Sequence, residues 1–362
     1  MTTNERPVRG ALIGCGFFAG NHLAAWADID GAEIVALCDT DVAKARAAGE
    51  RFGIEAVHDD IESLLAERSL DFVDIATTAP SHRALVERAV SEVGTVICQK
   101  PFAENHADAA AMVAAAERAG ATLLVHENFR WQKPFVELAA LIEDGAVGTP
   151  HFARFSFRHG YDNYVNQPYL AEIERFTIMD VGLHLFDLAR RFLGEVDTLS
   201  CLTQRLNPRV RGEDAFTALL GHAGGATSVC DCSFFSTIRP EPFPRTLAWI
   251  EGPDGSLALE TDGSLIRHDA EGRHARDSDP PVPDWGEAPW HVVQDSVRRF
   301  QEHVVAVMRG QATAAPSGAD NLRTLTLALA AYDAAADGRT VQVAHWREAF
   351  GIDERKSGGD GE

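Results

Sequence analysis

The chain has 362 residues, more than one usual domain, and 45% hydrophobic with 24% charged residues marks it as globular. Its 54 Asp and Glu against 33 Lys and Arg leave a formal net charge of −21, which opposes nucleic acid or an anionic membrane as partner, because polyanions reward clustered Lys and Arg. No apolar run approaches the roughly 18–20 residues of a membrane span, and "GALIG" is too short for a secretory signal core, so the expected location is cytoplasmic.

From Val8 to His126 short β-branched runs alternate with helical patterns. "VRGALIG", "AEIVALCD", "FVDIATTA", "TVICQ" and "ATLLVH" are continuous and apolar, as strands buried on both faces are. Between them lie helical stretches such as "DVAKARAAGERFG" and "NHADAAAMVAAAERAG". The alternation predicts a Rossmann-type α/β domain, a doubly wound parallel sheet, over residues 1–126.

Gly14, Gly16 and Ala19 stand in the pattern G-x-G-x-x-G/A directly after the first strand, with Phe17 and Phe18 inside the turn. The first glycine permits the tight turn, the second lets a pyrophosphate approach the backbone, and the small Ala19 lets helix and strand pack closely. The pattern is weak alone and gains weight from Asp39, which ends the second strand twenty residues later, where an acid meets the adenosine ribose hydroxyls. A 2′-phosphate would face Asp39 and Asp41 with no arginine directly after the strand; Lys44 and Arg46 are one turn on. NAD is therefore expected over NADP. Asp41 also suits a helix cap.

Ligands of such sheets bind beyond the carboxyl ends of the strands. Two more segments fall there: "ATTAPSH", with Thr77 and His82, and "CQKP", with Gln99 and Lys100. Thr77, His82, Gln99 and Lys100 are candidate cofactor contacts. An ammonium that ends a buried strand, restrained by Pro101, suits a side chain that must be aimed.

Residues 127–352 read as an α+β domain with an open, mostly antiparallel sheet. "HFARFSFRHG", "DAFTALLGHA", "ATSVCDCSFF", "RTLAWIEG" and "SLALETDG" are its expected strands, with helices over 178–193, 291–309 and 320–336. The polar, proline-rich stretch 267–290 is expected as a surface excursion, and 353–362 as a disordered tail. None of the six cysteines forms C-x-x-C, and Cys230 and Cys232 share one face of a strand as small hydrophobes.

In "FTIMDVGLHLFDLARRFLG" the residues Asp180, His184, Asp187 and Arg191 make one narrow polar stripe on an otherwise apolar helix, a pattern that fits the wall of a cavity better than a solvated face. Zinc is not expected, because no His-Glu-x-x-His helix or cysteine cluster accompanies the stripe. Glu127 and Arg130 in "VHENFRWQKP" and Tyr161 in "FRHGYDNY" are further candidates for substrate contact. No basic cluster calls for a phosphorylated substrate, and the stripe suits a neutral polyol.

Together the glycine turn, "CQKP", the Asp-x-x-x-His pair of "MDVGLH" and the closing "SGADNLRTLTLALAAYDAAADGRTV" resemble the Gfo/Idh/MocA oxidoreductases over nearly the whole chain. The resemblance implies a Rossmann domain, a C-terminal α+β domain often used for oligomer contacts, and nicotinamide-dependent redox chemistry on a sugar or polyol. It further implies Lys100 as the active-site lysine, His184 as acid/base and Asp180 as its orienting or substrate-binding partner. Most members have Glu-Lys-Pro where this chain has Gln99-Lys100-Pro101, so the protonation of the lysine does not carry over. "CGFFAGNHLAAW", "ICQKPFA", "HENFRWQ" and "YLAEIERF" resemble a branch of the family that oxidises D-apiose, a cyclic aldose, at its anomeric carbon to a lactone. Two other functions remain open at this stage: an inositol or keto-sugar enzyme of the same fold, and a non-catalytic NAD-binding metabolite sensor.

Overall fold

The structure, a computed structural model, describes residues 6–66, 69–165, 167–241 and 243–344; the expected tail at 353–362 lies outside them. By contact the chain forms two compact units, Met1–Gly148 with Asp254–Leu322, and Thr149–Pro253 with Arg323–Glu362.

The first part alternates strand and helix: β1 Val8–Ile13, α1 Ala19–Ala27, β2 Ala32–Cys38, α2 Val42–Phe52, β3 Ala56–His58, α3 Ile61–Leu65, β4 Phe72–Ile75, α4 Ala79–Ala89, β5 Thr95–Gln99, α5 His106–Ala119 and β6 Thr122–His126, then α6 Lys133–Glu143. The strands lie in the order β3-β2-β1-β4-β5-β6, all paired in parallel, so the order reverses between β1 and β4. That reversal opens a crevice at the carboxyl ends, where the Gly14 turn, Thr77 and Lys100 begin their loops. Local chemistry sets the helix limits: Asn105 accepts a hydrogen bond from Asp108 N at the start of α5, and Gly120 ends it in the left-handed region.

The second sheet follows as β7 Phe152–Arg158, α7 Leu183–Leu193, β8 Val196–Gln204, β9 Ala215–His222, β10 Thr227–Ser233, β11 Leu247–Gly252, β12 Gly255–Leu259, β13 Ser264–Asp269, β14 Gly272–Asp277, α8 His291–Met308, α9 Gly318–Asp337 and β15 Val341–Gln342. Its nine strands run β14-β13-β12-β11-β7-β10-β9-β8-β15, with β7 and β10 parallel and β14–β13, β13–β12, β11–β7, β10–β9, β9–β8 and β8–β15 antiparallel. This is the open, mostly antiparallel sheet expected from the sequence.

The core of the first unit is built on Phe72, Ile97 and Leu124 from three neighbouring strands, covered by Trp26 and Ile29 of α1 and by Phe300, Val304 and Val305 of α8. Burying an aromatic side chain of this kind contributes about 1.5–3 kcal/mol. Cys230 and Cys232 are buried and unpaired, and burial holds their thiols well above the ordinary range, so they pack as small apolar groups as expected. Among the described residues no helix is long and apolar enough to cross a membrane.

One expectation is corrected. Residues 267–277 of the stretch taken as a surface excursion belong to the hairpin β13–β14, which is registered from Ser264↔Asp277 to Asp269↔Gly272. β14 is exposed along its whole length, so its side chains carry no apolar period and only the main-chain ladder reveals it as a strand.

Candidate active site

The glycine turn has the geometry a dinucleotide needs. Gly14 adopts φ +94° and donates its N–H to Cys38 O at 2.8 Å, which ties β1 to β2 just before the turn. A Cβ at Gly16 would meet nothing within 4 Å, so this backbone is open to a pyrophosphate. No side chain caps α1, whose first N–H groups follow at Ala19, and uncapped donors with the helix dipole suit an anion.

Asp39 sits beside this turn. Its Oδ2 accepts from Cys15 N at 2.7 Å and its Oδ1 from Asp41 N at 2.8 Å, so the carboxylate is fixed before any ribose arrives. Asp41 caps α2 by accepting from Ala43 N, and Lys44 lies 3.7 Å from the Asp41 carboxylate. Phe17 is exposed and meets the edge of Trp290, with ring centroids 6.2 Å apart.

His82 is fully buried, and its two ring nitrogens face Phe102 O at 3.1 Å and Thr77 O at 3.2 Å. The ring thus links the Thr77 loop to the segment that follows Lys100; burial pushes its pKa down, against the carbonyls that favour the charged form. Lys100 is half-buried at the end of β5, and its N–H donates to Gln99 Oε1 at 2.6 Å.

Glu127 and Arg130 follow β6. Arg130 is largely buried and donates to Asp320 Oδ2 at 3.2 Å, while Asn128 donates to Ser296 Oγ at 2.8 Å. Glu127 is wholly buried, and burial pushes its carboxyl up to about 7 despite the opposing charges of Arg130 and Lys100. A carboxyl whose pKa rises on folding favours the folded state in acid. That contribution is complete below its ordinary 4.5 and is lost as pH rises through about 7. Glu127→Gln should therefore gain stability relative to the parent as pH goes from about 5 to 8, by up to about 3 kcal/mol. Urea unfolding of both proteins at the two pH values measures this, and parallel changes would refute it.

In the second unit, residues 178–182 form one π-helical turn that runs directly into α7. The sequence shows a continuous 3.6-residue period here, which does not register a single widened turn; such turns are frequent at functional sites. The turn carries Asp180, partly exposed, and α7 carries His184, only 2% exposed.

Glu213, missed by the sequence reading, holds the start of this helix. Its carboxylate accepts from Phe176 N at 3.1 Å, Ile178 N at 3.0 Å and Tyr332 Oη at 2.7 Å. His159, also missed, is fully buried against Phe234; burial lowers its pKa to about 4 although Glu241 and Asp180 pull it upward. Tyr161 lies edge-on to Phe243.

The polar stripe differs from expectation at one end. Asp187 is buried and accepts from Thr324 Oγ1 at 3.4 Å, but Arg191 is exposed. The buried arginine is Arg190, satisfied by two bonds to Glu195 and one to Thr324. A guanidinium can leave water here only because each side of its fork is paired. Among the described residues no group of three or more His, Cys, Asp or Glu side chains comes together as a metal site.

A reversed parallel sheet, a glycine turn open to a pyrophosphate and a fixed acid after β2 define a dinucleotide-binding Rossmann protein, and its family makes it an NAD-dependent oxidoreductase. The family model for the NAD-binding Rossmann fold of the Gfo/Idh/MocA oxidoreductases matches residues 8–127, and that for the family's C-terminal domain matches 135–258; the chain belongs to this family. It is 50% identical over 342 residues to a D-apiose dehydrogenase of Paraburkholderia graminis, covering 94% of this chain and 91% of the relative. It is 47% identical over 340 residues to a D-apiose dehydrogenase of Rhizobium rhizogenes, covering 94% and 99%. The crystal structure of an oxidoreductase from Agrobacterium radiobacter in complex with NAD+, L-tartaric acid and magnesium superposes with a TM-score of 0.91 at 47% identity, covering 94% of this chain and 99% of that one. The family, fold and cofactor expected from the sequence are those found.

Proposed function

We propose that this protein oxidises D-apiose at its anomeric carbon to the lactone. The observation that carries this reading is the identity of 50% and 47% to two D-apiose dehydrogenases over nearly the full length of all three chains. NAD, when bound, takes up the hydride that leaves the carbon. The residues of the chain manage the oxygen and its proton.

Oxidation of the ring hydroxyl breaks O–H and C–H and leaves C=O, so one proton must depart while negative charge grows on oxygen. Lys100 stabilises that charge through its ammonium. His184 takes the proton on its imidazole, whose ordinary pKa of about 6.5 suits the task near neutrality. Asp180 orients the imidazole or the sugar. Glu127, Arg130 and Tyr161 are proposed sugar contacts, and Gly14, Gly16, Phe17, Phe18, Asp39, Thr77, His82 and Gln99 are proposed to hold the cofactor or its loops.

We assign residues 1–126 to cofactor binding and 127–352 to substrate binding and oligomerisation. Leu202 and Leu219, exposed at 70% and 55% on the neighbouring strands β8 and β9, support a homo-oligomer joined through this sheet, and sedimentation velocity tests it. A cytoplasmic location agrees with the free cysteines.

The deciding experiment follows absorbance at 340 nm with NAD against D-apiose, other neutral aldoses and inositols. Rapid NADH formation with D-apiose supports the proposal. Turnover of an inositol or a different aldose, with D-apiose inert, overturns it.

A further inference from the structure

Behind Lys100 runs an unbroken line of buried hydrogen bonds. Asp74, at 0% exposure on β4, accepts from His22 Nδ1 and from Trp26 Nε1, each at 2.8 Å and both on Oδ2. His22, also at 0%, places Nε2 3.2 Å from Gln99 Nε2, and Gln99 Oε1 accepts from Lys100 N at 2.6 Å. The line fixes every orientation in it. A backbone N–H only donates, so the amide turns its oxygen to Lys100 and its NH₂ to His22. His22 Nε2 must then accept, and its proton sits on Nδ1, facing a carboxylate.

Further contacts immobilise the imidazole. It stacks on His126 with centroids 4.2 Å apart and meets Phe18 edge-on, while the main-chain carbonyl of His22 accepts from Gln301 Nε2 at 3.2 Å. A carboxylate and an imidazole withdrawn from water beneath a parallel sheet lose hydration that an apolar pair would not. Their placement has a use if it aims what lies at the far end.

We propose that Asp74, His22 and Gln99 are a positioning relay that sets the backbone, and through it the ammonium, of Lys100. The relay rests on the reading of Lys100 as the lysine at the reacting oxygen. Its bonds demand a neutral amide at position 99: a carboxylate of the same shape would put an oxygen against the His22 lone pair and would need an added proton between them.

Gln99→Glu tests this in the full chain. The titratable groups facing the His22 ring are Asp74 from β4 and His126 from β6, and both are the same in parent and variant. The ratio of variant to parent kcat should thus isolate the added proton. That ratio should fall about tenfold per pH unit once the proton is lost on the alkaline side. A merely structural effect would lower the ratio equally at every pH, and a flat ratio overturns the relay.

Nitrogen-15 spectra of the histidine rings give a readout that needs neither turnover nor a stable variant. In the parent, His22 should be the neutral Nδ1–H form; an Nε2–H form or an imidazolium overturns the relay. If instead Lys100→Met retains turnover, the role of the lysine fails, and the spectra still report on the relay.

Discussion

Replacing Lys100 with methionine should lower kcat for the sugar by about a thousandfold and leave the Kd of NAD within a few-fold of the parent. Methionine keeps an unbranched chain of similar length and removes only the ammonium. The loss therefore measures charge stabilisation at the oxygen rather than packing. One preorganised donor aimed at developing negative charge typically contributes about a hundred- to a thousandfold. His184→Ala should cost at least about a hundredfold by removing the base, again with NAD binding retained. Stopped-flow absorbance at saturating NAD, beside calorimetry of NAD binding, separates the two quantities. If Lys100→Met turns over within about tenfold of the parent, the ammonium does not face the reacting oxygen.

The second large effect separates the two glycines of the turn. Alanine at position 14 would need φ +94°, with a Cβ 2.7 Å from Thr77 Cγ2 and 2.9 Å from Ala76 C and O. Backbone atoms cannot step aside, so Gly14→Ala should cost about 2–4 kcal/mol of stability and weaken NAD with it. At Gly16 the same methyl meets nothing within 4 Å. Gly16→Ala should unfold at the parent's midpoint yet bind NAD at least about tenfold more weakly, because only the cofactor contests that space. Thermal unfolding without NAD and calorimetry with it test both. Unchanged affinity in Gly16→Ala would place the pyrophosphate elsewhere.

The parallel sheet was legible because its strands are continuous apolar runs that alternate with helical patterns, and the Gly14 turn with Asp39 marks the nucleotide edge within forty residues of chain. What stayed hidden depends on tertiary partners. Periodicity shows that residues 291–309 form a helix with an apolar face; it does not show that Phe300 and Val304 meet Trp26, Ile97 and Leu124. Gln99 reads as a substitution within a motif, and its meaning lies in His22, 77 positions earlier. A signal did exist: Asp74 is an acid inside the apolar run "FVDIA", and such a residue needs a donor nearby. Glu213 gave no such hint, since its role depends on a helix start that lies 35 and 37 residues before it.

The double engagement of Asp39 bears on any attempt to redesign cofactor preference. Exchanging an acid at this position for a small residue is the obvious way to admit a phosphorylated ribose, since it removes a repelling charge. In this protein the same carboxylate also braces the glycine turn against the start of the next helix, through Cys15 N and Asp41 N. Clearing the charge without leaving an acceptor would slacken the loop that must grip either nucleotide, so a successful swap has to keep a hydrogen-bond acceptor at position 39 and supply the cation from elsewhere.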